Sequence, residues 1–401
     1  MLSWEYPPSS VGGLAKHVEE LSEALSKKSV EIHVLTVGKN HAPKVERKNN
    51  LWIYRVEPYP LQTPNFLTWI QHLNYRFIEE AINLINTWGP FNLIHCHDWL
   101  VGFTGKVLKN AYKIPLVATI HATEAGRNHG LHTAEQHYIN QIEWWLTYEA
   151  WRVIVCSQHM VQEANKLFNL PLDKIRLVPN GIDLGKFRNS TLKNVCFGPD
   201  KIVFFIGRLV REKGVQVLLE AAPEVIKSVP DVHFFIAGKG PMEAQLKEQA
   251  KNLGLESHVS FLGYIEEEMK IALYTQAQAA VFPSLYEPFG IVVLEAMAAG
   301  APVVVSNTGG MAEIVKNEFT GLKVAPGNPK SLAENLIKLL QNQELGERLR
   351  TNGLAVVKKQ YDWGKIAEKT KEIYSEILSE YKKVSWGSRE LTTDLSMEGR
   401  T

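Results

Sequence analysis

The feature that most restricts the fold of this chain is a rhythm: a short β-type run, then an amphipathic helical stretch, repeated through the first half and started afresh in the second. "EIHVLTV", "LWIYRV", "NLIHC", "PLVATI" and "WRVIVC" set it. Such alternation predicts a parallel sheet covered by helices. Leu14, Val18, Leu21 and Leu25 recur at helical spacing, so the segment after Gly12 and Gly13 is predicted to be a helix with one buried face. A glycine pair therefore sits where a strand becomes a helix. Around "LVPNGIDLGKFRNSTLKNVCFGPD", residues 177–200, the pattern gives way to Pro, Gly, Asn and Asp, the chemistry of turns and linkers. It restarts with "KIVFFIG", "VHFFIAG", "VSFLG", "AAVFP" and "APVVVS". The expected class is α/β, with two doubly wound domains facing across a cleft.

At 401 residues the chain exceeds what one core usually organises, in keeping with two domains. The expected division is residues 1–178, residues 179–360, a last helix over 361–383, and a loose polar tail over 384–401. Asn328 and Pro329 are suited to the cap and first position of a helix in "NPKSLAENLIKLL". Lys and Arg number 44 against 43 Asp and Glu, which gives no electrostatic case for nucleic acid. Membrane association is not indicated either. Cys96, Cys156 and Cys196 are far apart and odd in number, which fits a reducing cytosol better than a disulfide framework. "MLSWEYPPSSVGG" lacks the parts of a signal peptide, and its "MLSW" reads as the tail of a strand.

Ligands of open α/β sheets bind beyond the carboxyl ends of the strands. There, "FFIGRLVREKG" ends a strand at Gly207 and offers Arg208 and Lys213 before a helix, a pair of cations suited to a diphosphate. A solvated basic loop is the plainer alternative. "EPFGIVVLE" follows "AAVFPSLY", with Pro288 and Gly290 turning the chain into a helix. Glu287 falls before that helix and Glu295 inside it. With no cation near them in sequence, the two carboxylates are expected to accept hydrogen bonds from hydroxyls of a ligand; the plainer alternative is an exposed Glu287 in a loop and a Glu295 salt-bridged on its helix. "SNTGGMAEIV" repeats the device, with amides at Gly309 and Gly310 expected to be exposed. In "HCHDW", His95 and His97 share one face of a strand and raise the question of a metal. No second cluster at ligand spacing accompanies them, so the expected use of the segment is Asp98 and Trp99 facing the cleft at the strand end. His121 follows the strand "PLVATI" in a polar loop. "FIAGKGPM" lacks the dinucleotide fingerprint, which argues against a nicotinamide enzyme.

These motifs resemble the retaining glycosyltransferases of family 4, with the GT-B fold, and glycogen or starch synthase-like members in particular. The likeness runs from "SWEYPPSSVGG" through "GRLVREKG" to "EPFGIVVLEAMAAGAPVVVSNTGGMAEIV". It implies that Arg208 and Lys213 hold the donor diphosphate, assisted by amides near Gly12, Gly13, Gly309 and Gly310. It implies Glu287 on the donor sugar with the amides of Phe289 and Gly290 beside it, Glu295 on the ribose, and Tyr264 near the base. His121 would sit near the reacting centre and Asp98 on the acceptor side, and the last helix would cross back to the N-terminal domain. Enzymes of this group usually carry a longer first strand. Either the start is misassigned or the first strand is short, and a truncated central strand is expected to weaken the N-terminal domain.

The expected activity is transfer of a hexose, glucose first, from a nucleotide sugar to an acceptor hydroxyl, with no cofactor and no metal. A mannosyl or other hexosyl transfer to a lipid-linked or small-molecule acceptor is the alternative within the class. A sugar-binding protein that does no chemistry and a nucleotide-sugar epimerase stand outside it.

Overall fold

The structure, a computed structural model, describes residues 1–9, 12–38, 42–188, 197–198 and 201–384. Cys196 and the expected tail beyond residue 384 lie outside the described residues, as does most of the 189–200 stretch. Among the described residues are thirteen strands. The N-terminal half carries β1 (Ile32–Val37), β2 (Val45–Lys48), β3 (Leu51–Val56), β4 (Ile94–His97), β5 (Leu116–Ile120), β6 (Arg152–Val155) and β7 (Ile175–Leu177). The C-terminal half carries β8 (Lys201–Ile206), β9 (Val232–Ala237), β10 (Val259–Gly263), β11 (Ala279–Phe282), β12 (Val303–Ser306) and β13 (Leu322–Val324).

The second sheet runs β10-β9-β8-β11-β12-β13, parallel throughout. Its strand order reverses between β8 and β11, which places a crevice over the loops that follow those two strands. The first sheet is built from β1-β3-β2 and β4-β5-β6-β7. Leu2 joins the two parts by bridging Leu35 on one side and Cys96 on the other, with Leu2 N–H donating to His95 at 2.8 Å and His97 N–H to Leu2 at 3.0 Å. The "MLSW" segment thus lies between the two parts of the sheet and pairs with both through Leu2. A cavity of about 400 Å³ opens beside it, walled by β1, β4, the helix Phe66–Trp88 and the last helix.

Each strand of the two sheet centres is buried because helices cover both faces. β8 and β9 bring Phe204, Phe205 and Phe234 into the core, all at most 1 % exposed. Leu14, Val18, Leu21 and Leu25 form the buried stripe of the helix Gly13–Ser26, as their spacing predicts. Asn328 accepts from Ser331 N–H at 3.0 Å and Pro329 opens the helix, so the local capping chemistry was legible too.

The last helix, Trp363–Tyr381, crosses to the N-terminal domain. Tyr374 OH lies 2.6 Å from His95 Nδ1, and Trp363 Nε1 donates to Glu20 at 2.5 Å. Arg152 pairs with Glu376 at 2.8 Å on the same face. The strands β2, β7 and β13 and the short helix Leu184–Arg188 went unpredicted. Each is too short for a period to show, and the helix falls inside the turn-rich stretch.

Candidate active site

The C-terminal crevice is assembled by close approach of three loops. Gly214 adopts φ +73, and a Cβ there would stand 1.9 Å from the Pro283 carbonyl oxygen. Only glycine lets the loop after β8 lie against the loop after β11. The same economy holds at Gly309, with φ +52 and a hypothetical Cβ 2.0 Å from the Glu287 carbonyl oxygen. Gly310 N–H then donates to that carbonyl at 3.0 Å. The expectation that the Gly310 amide is exposed to an anion is therefore wrong: its proton already has an acceptor, and the glycine pair serves loop packing. Gly12 departs likewise, since its N–H reaches Glu5 Oε2 at 3.3 Å. Gly13 fares differently and faces the other domain, its Cβ position 3.2 Å from Ile291.

Lys213 Nζ stands 2.6 Å from Glu287 Oε2, and the Glu287 side chain is 10 % exposed. Arg208 is half exposed, 4.0 Å from Glu212. Gly290 at φ +103 precedes the helix Ile291–Ala299, and Phe289 is buried beside it. Inside that helix Glu295 is buried between Lys16, which forms a short ion pair with it from the other domain, and Lys270 at 3.0 Å. Burial alone would raise the Glu295 pKa, but Lys270 and Lys16 outweigh it and bring it down to about 2. Both carboxylates thus have cationic partners: Glu295 is the salt-bridged helix carboxylate of the plainer alternative, while Glu287 is neither exposed nor without a cation. Lys213, Lys16 and Lys270 are remote in sequence, so only the fold brings them in. Tyr264 follows β10, the edge strand of the sheet, and is 68 % exposed.

Across the cleft, Asp98 ends β4 and accepts from His121 N–H at 2.7 Å. Burial raises its carboxyl to about 6, with Arg127 and the His121 amide opposing. Trp99 is buried at 4 % exposure, with Phe66 edge-on at 6.4 Å. It belongs to the core and offers no face to the cleft, contrary to expectation. His121 has its pKa lowered to about 3, by burial first and by Arg127 next. His121 Nε2 lies 3.2 Å from His97 Nδ1. His17, from the first helix, stacks edge-on to His121 with ring centres 4.5 Å apart. That convergence of His17, His97 and His121 was invisible in the spacing of "HCHDW", because two of the three rings come from elsewhere in the chain.

The domains touch beside these groups. Ser157 Oγ donates to the Pro288 carbonyl at 2.6 Å. Gln158 and His159 N–H donate to Glu313 at 2.8 and 2.7 Å, capping the helix Gln158–Phe168 with a carboxylate of the other domain. Tyr286 OH donates to Glu163 at 2.9 Å, and Thr123 N–H approaches the same hydroxyl at 3.5 Å. Tyr286 adjoins Glu287 in the chain, and Thr123 lies two residues from His121. The cationic crevice and the histidine-lined one therefore face each other across one narrow cleft.

Comparison with known proteins agrees with this geometry. The family described as "Glycosyltransferase Family 4" matches residues 11–186, and "Glycosyl transferases group 1" matches residues 188–356. An uncharacterised glycosyltransferase of Methanocaldococcus jannaschii is 37% identical over 383 residues, covering 93% of this chain and 97% of the relative. A glycogen synthase of Mycobacterium tuberculosis is 33% identical over 389 residues, 93% of each chain. Among solved structures, the sucrose-phosphate synthase of Thermosynechococcus elongatus aligns with a TM-score of 0.83 at 26% identity, covering 94% of this chain and 98% of that one. Fold and site define a two-domain glycosyltransferase of the GT-B type. The chain belongs to the group 1 family of glycosyltransferases and is similar to its glycogen synthase-like members. No helix among the described residues is long and apolar enough to cross a membrane.

Proposed function

We propose that this enzyme moves a hexose, glucose in the first instance, from a nucleotide sugar to a glycan hydroxyl with retention of configuration and without a divalent metal. The observation that carries this reading is the Lys213–Glu287 pair at the C-terminal switch point, 2.6 Å apart, with Arg208 beside it and Asp98 and His121 on the facing wall. Breaking the bond to the anomeric carbon leaves negative charge on the departing diphosphate. Fixed cations stabilise that charge as it develops. Lys213 turns from Glu287 to the phosphate oxygens, and Arg208, exposed and held only loosely, joins it. Glu287 is then free to accept from sugar hydroxyls.

Glu295 accepts from the ribose hydroxyls once Lys16 gives way, while Lys270 keeps the carboxylate charged. Tyr264 offers an aromatic face to the base. His121 borders the donor sugar, positioned by the bond from its amide to Asp98. The acceptor hydroxyl attacks from the face the leaving group occupies and passes its proton to a departing phosphate oxygen. Closure of the domains keeps out water, whose attack would hydrolyse the donor.

A second reading places a small phosphorylated sugar in the acceptor site. The likeness to a sucrose-phosphate synthase favours it, as does Arg127 beside Asp98. One assay tests both readings: purified enzyme with a panel of nucleotide sugars, alone, with glucan, and with sugar phosphates. Nucleotide release that depends on glucan supports the first and on sugar phosphate the second; release with neither acceptor removes both. The anomeric configuration of the product, read by NMR, tests retention.

A further inference from the structure

His17, His97 and His121 arrive from the first helix, the end of β4 and the segment after β5. One ring nitrogen of each lies within 4.8 Å of the other two. Two of the rings hold a buried nitrogen without a hydrogen-bond partner, His17 Nε2 and His97 Nε2, on residues 5 % and 0 % exposed. Buried polar atoms are nearly always satisfied, so the orphan His17 Nε2, which belongs to the ring edge-on to His121, calls for an explanation; His97 Nε2 is the ring nitrogen opposite the one that meets His121.

The hydrogen bonds fix where the protons are. His17 Nδ1 is 2.6 Å from Asn180 Oδ1. An amide oxygen only accepts, so the His17 proton sits on Nδ1 and Nε2 is a bare lone pair. Asn180 is 4 % exposed and thereby holds both the tautomer and the ring orientation. Between His97 Nδ1 and His121 Nε2, 3.2 Å apart, only one proton fits, so one of those nitrogens is a lone pair as well. His95 contrasts with its neighbours. Its Nδ1 meets Tyr374 OH and its Nε2 meets Thr119 Oγ1, both at 2.6 Å, so it is a wall of the cluster and no ligand. Burial lowers the pKa of His17, His97 and His121. Neutral imidazoles in a dry pocket are donors for borderline transition ions and poor ones for Mg²⁺ or Ca²⁺, which take oxygen ligands.

We propose that His17, His97 and His121 form a binding site for a divalent transition-metal ion of the Zn²⁺ type, and that an ion bound there inhibits the enzyme by withdrawing His121 from the donor sugar. Tetrahedral Zn–N bonds of about 2.0–2.1 Å place ligand nitrogens roughly 3.4 Å apart. The 3.2 Å separation of His97 and His121 is already of that size, and the wider ones, up to 4.8 Å, would have to close by movement of the first helix together with its Asn180 bond. His121 is the least buried of the three, so a fourth ligand would have to reach the ion from its side. The inhibition, unlike the binding, rests on the role proposed for His121.

The test begins with the full chain stripped of metal and titrated with Zn²⁺ by calorimetry, followed by metal analysis after desalting. One ion per chain is expected, with affinity at least tenfold weaker in His17→Gln and in His97→Gln. Asn180→Ala should weaken it about 10–100-fold through loss of the outer hydrogen bond. The native protein loaded with Co²⁺ should show the intense visible bands of a tetrahedral site, which needs no variant to fold. No stoichiometric binding, affinity unchanged in both histidine variants, or an octahedral cobalt spectrum would overturn the site. Zn²⁺ should inhibit turnover and a chelator should restore it. Binding without inhibition overturns the second half of the proposal only, and an enzyme inactive on every donor still leaves the binding measurable.

Discussion

At the strand ends of the N-terminal sheet stand three buried imidazoles with depressed pKa values and one carboxyl raised to about 6. At the corresponding place in the C-terminal sheet stand Arg208, Lys213 and Lys270 with Glu212, Glu287 and Glu295. The topology of the two halves is alike, yet one wall is close to neutral and the other is made of charge pairs. On the function proposed above, the difference follows from what each wall would meet. A diphosphate leaving group gains charge during transfer, so preformed cations belong on the wall that holds it. An acceptor hydroxyl would gain none until it attacks, and a wall of imidazoles with a single Asp98–Arg127 charge pair would serve it. In the free protein Lys213 and Lys270 are held by carboxylates, which keep the buried Lys270 from standing unpaired.

The comparison breaks most easily at Lys213. Lys213→Ala should lower kcat by about 10²–10³-fold, as loss of one charge-stabilising group typically does, with the melting temperature little changed. Glu287→Ala should also be severely impaired, and the double variant should lose less than the sum of the two, since each single change already breaks the pair. A Lys213→Ala enzyme with a near-normal rate of nucleotide release would remove the charged wall from the chemistry.

Glu295→Gln comes next and is read first as stability. Lys16 and Lys270 would keep the exposed Glu267 as ion-pair partner, with Glu20 acting on Lys16 from farther off, at a cost of about 3 kcal/mol for breaking a buried pair. The pH dependence has a definite sign. A carboxyl whose pKa falls from 4.5 to about 2 on folding stabilises the fold above 4.5, and that contribution is lost as pH falls toward 2. Chemical denaturation of wild type and variant between neutral pH and pH 3 should therefore converge at the acid end. If the gap stays constant, the ion triad is not its source.

Asp98→Asn probes the other wall, with the opposite sign. The carboxyl rises from 3.8 to about 6 on folding, so the folded state binds more protons in that interval and stability falls as pH rises through it. Asparagine still accepts from His121 N–H. The variant should lack up to about 2–3 kcal/mol of that decline, which melting curves between pH 4 and pH 6.5 would show as a flatter profile. Tyr264→Ala should have the smallest effect, raising the donor KM about tenfold or less, as expected for one base-stacking contact. No change in KM with any nucleotide would take Tyr264 out of the donor site.

Much of the fold was legible because it is written in local chemistry. The strand runs, the stripe from Leu14 to Leu25, the Asn328 cap and the turn at Gly290 each involve residues within a few positions of one another. The candidate site was legible as loops: Gly207 to Gly214, Glu287 to Gly290 and Asp98 all lie at strand ends, where the topology of an open sheet puts ligands. The roles of single atoms were not. Lys213 meets Glu287 across 74 positions, Lys16 meets Glu295 across 279, and His17 meets Asn180 across 163. Gly12 and Gly310 were expected to present amides to an anion, but a carboxylate and a carbonyl had already taken their protons.

What the sequence by itself determined, then, is the architecture: two doubly wound sheets, the place of the cleft, and which loops border it. Periodicity and turn chemistry act over a few residues and so survive in a linear reading. The tertiary structure alone decided the electrostatics, namely which carboxylates hold lysines, which histidines converge, and which amides are left to meet a ligand. Coulomb attraction, burial and lone-pair direction depend on distances through space, and no spacing along the chain encodes them.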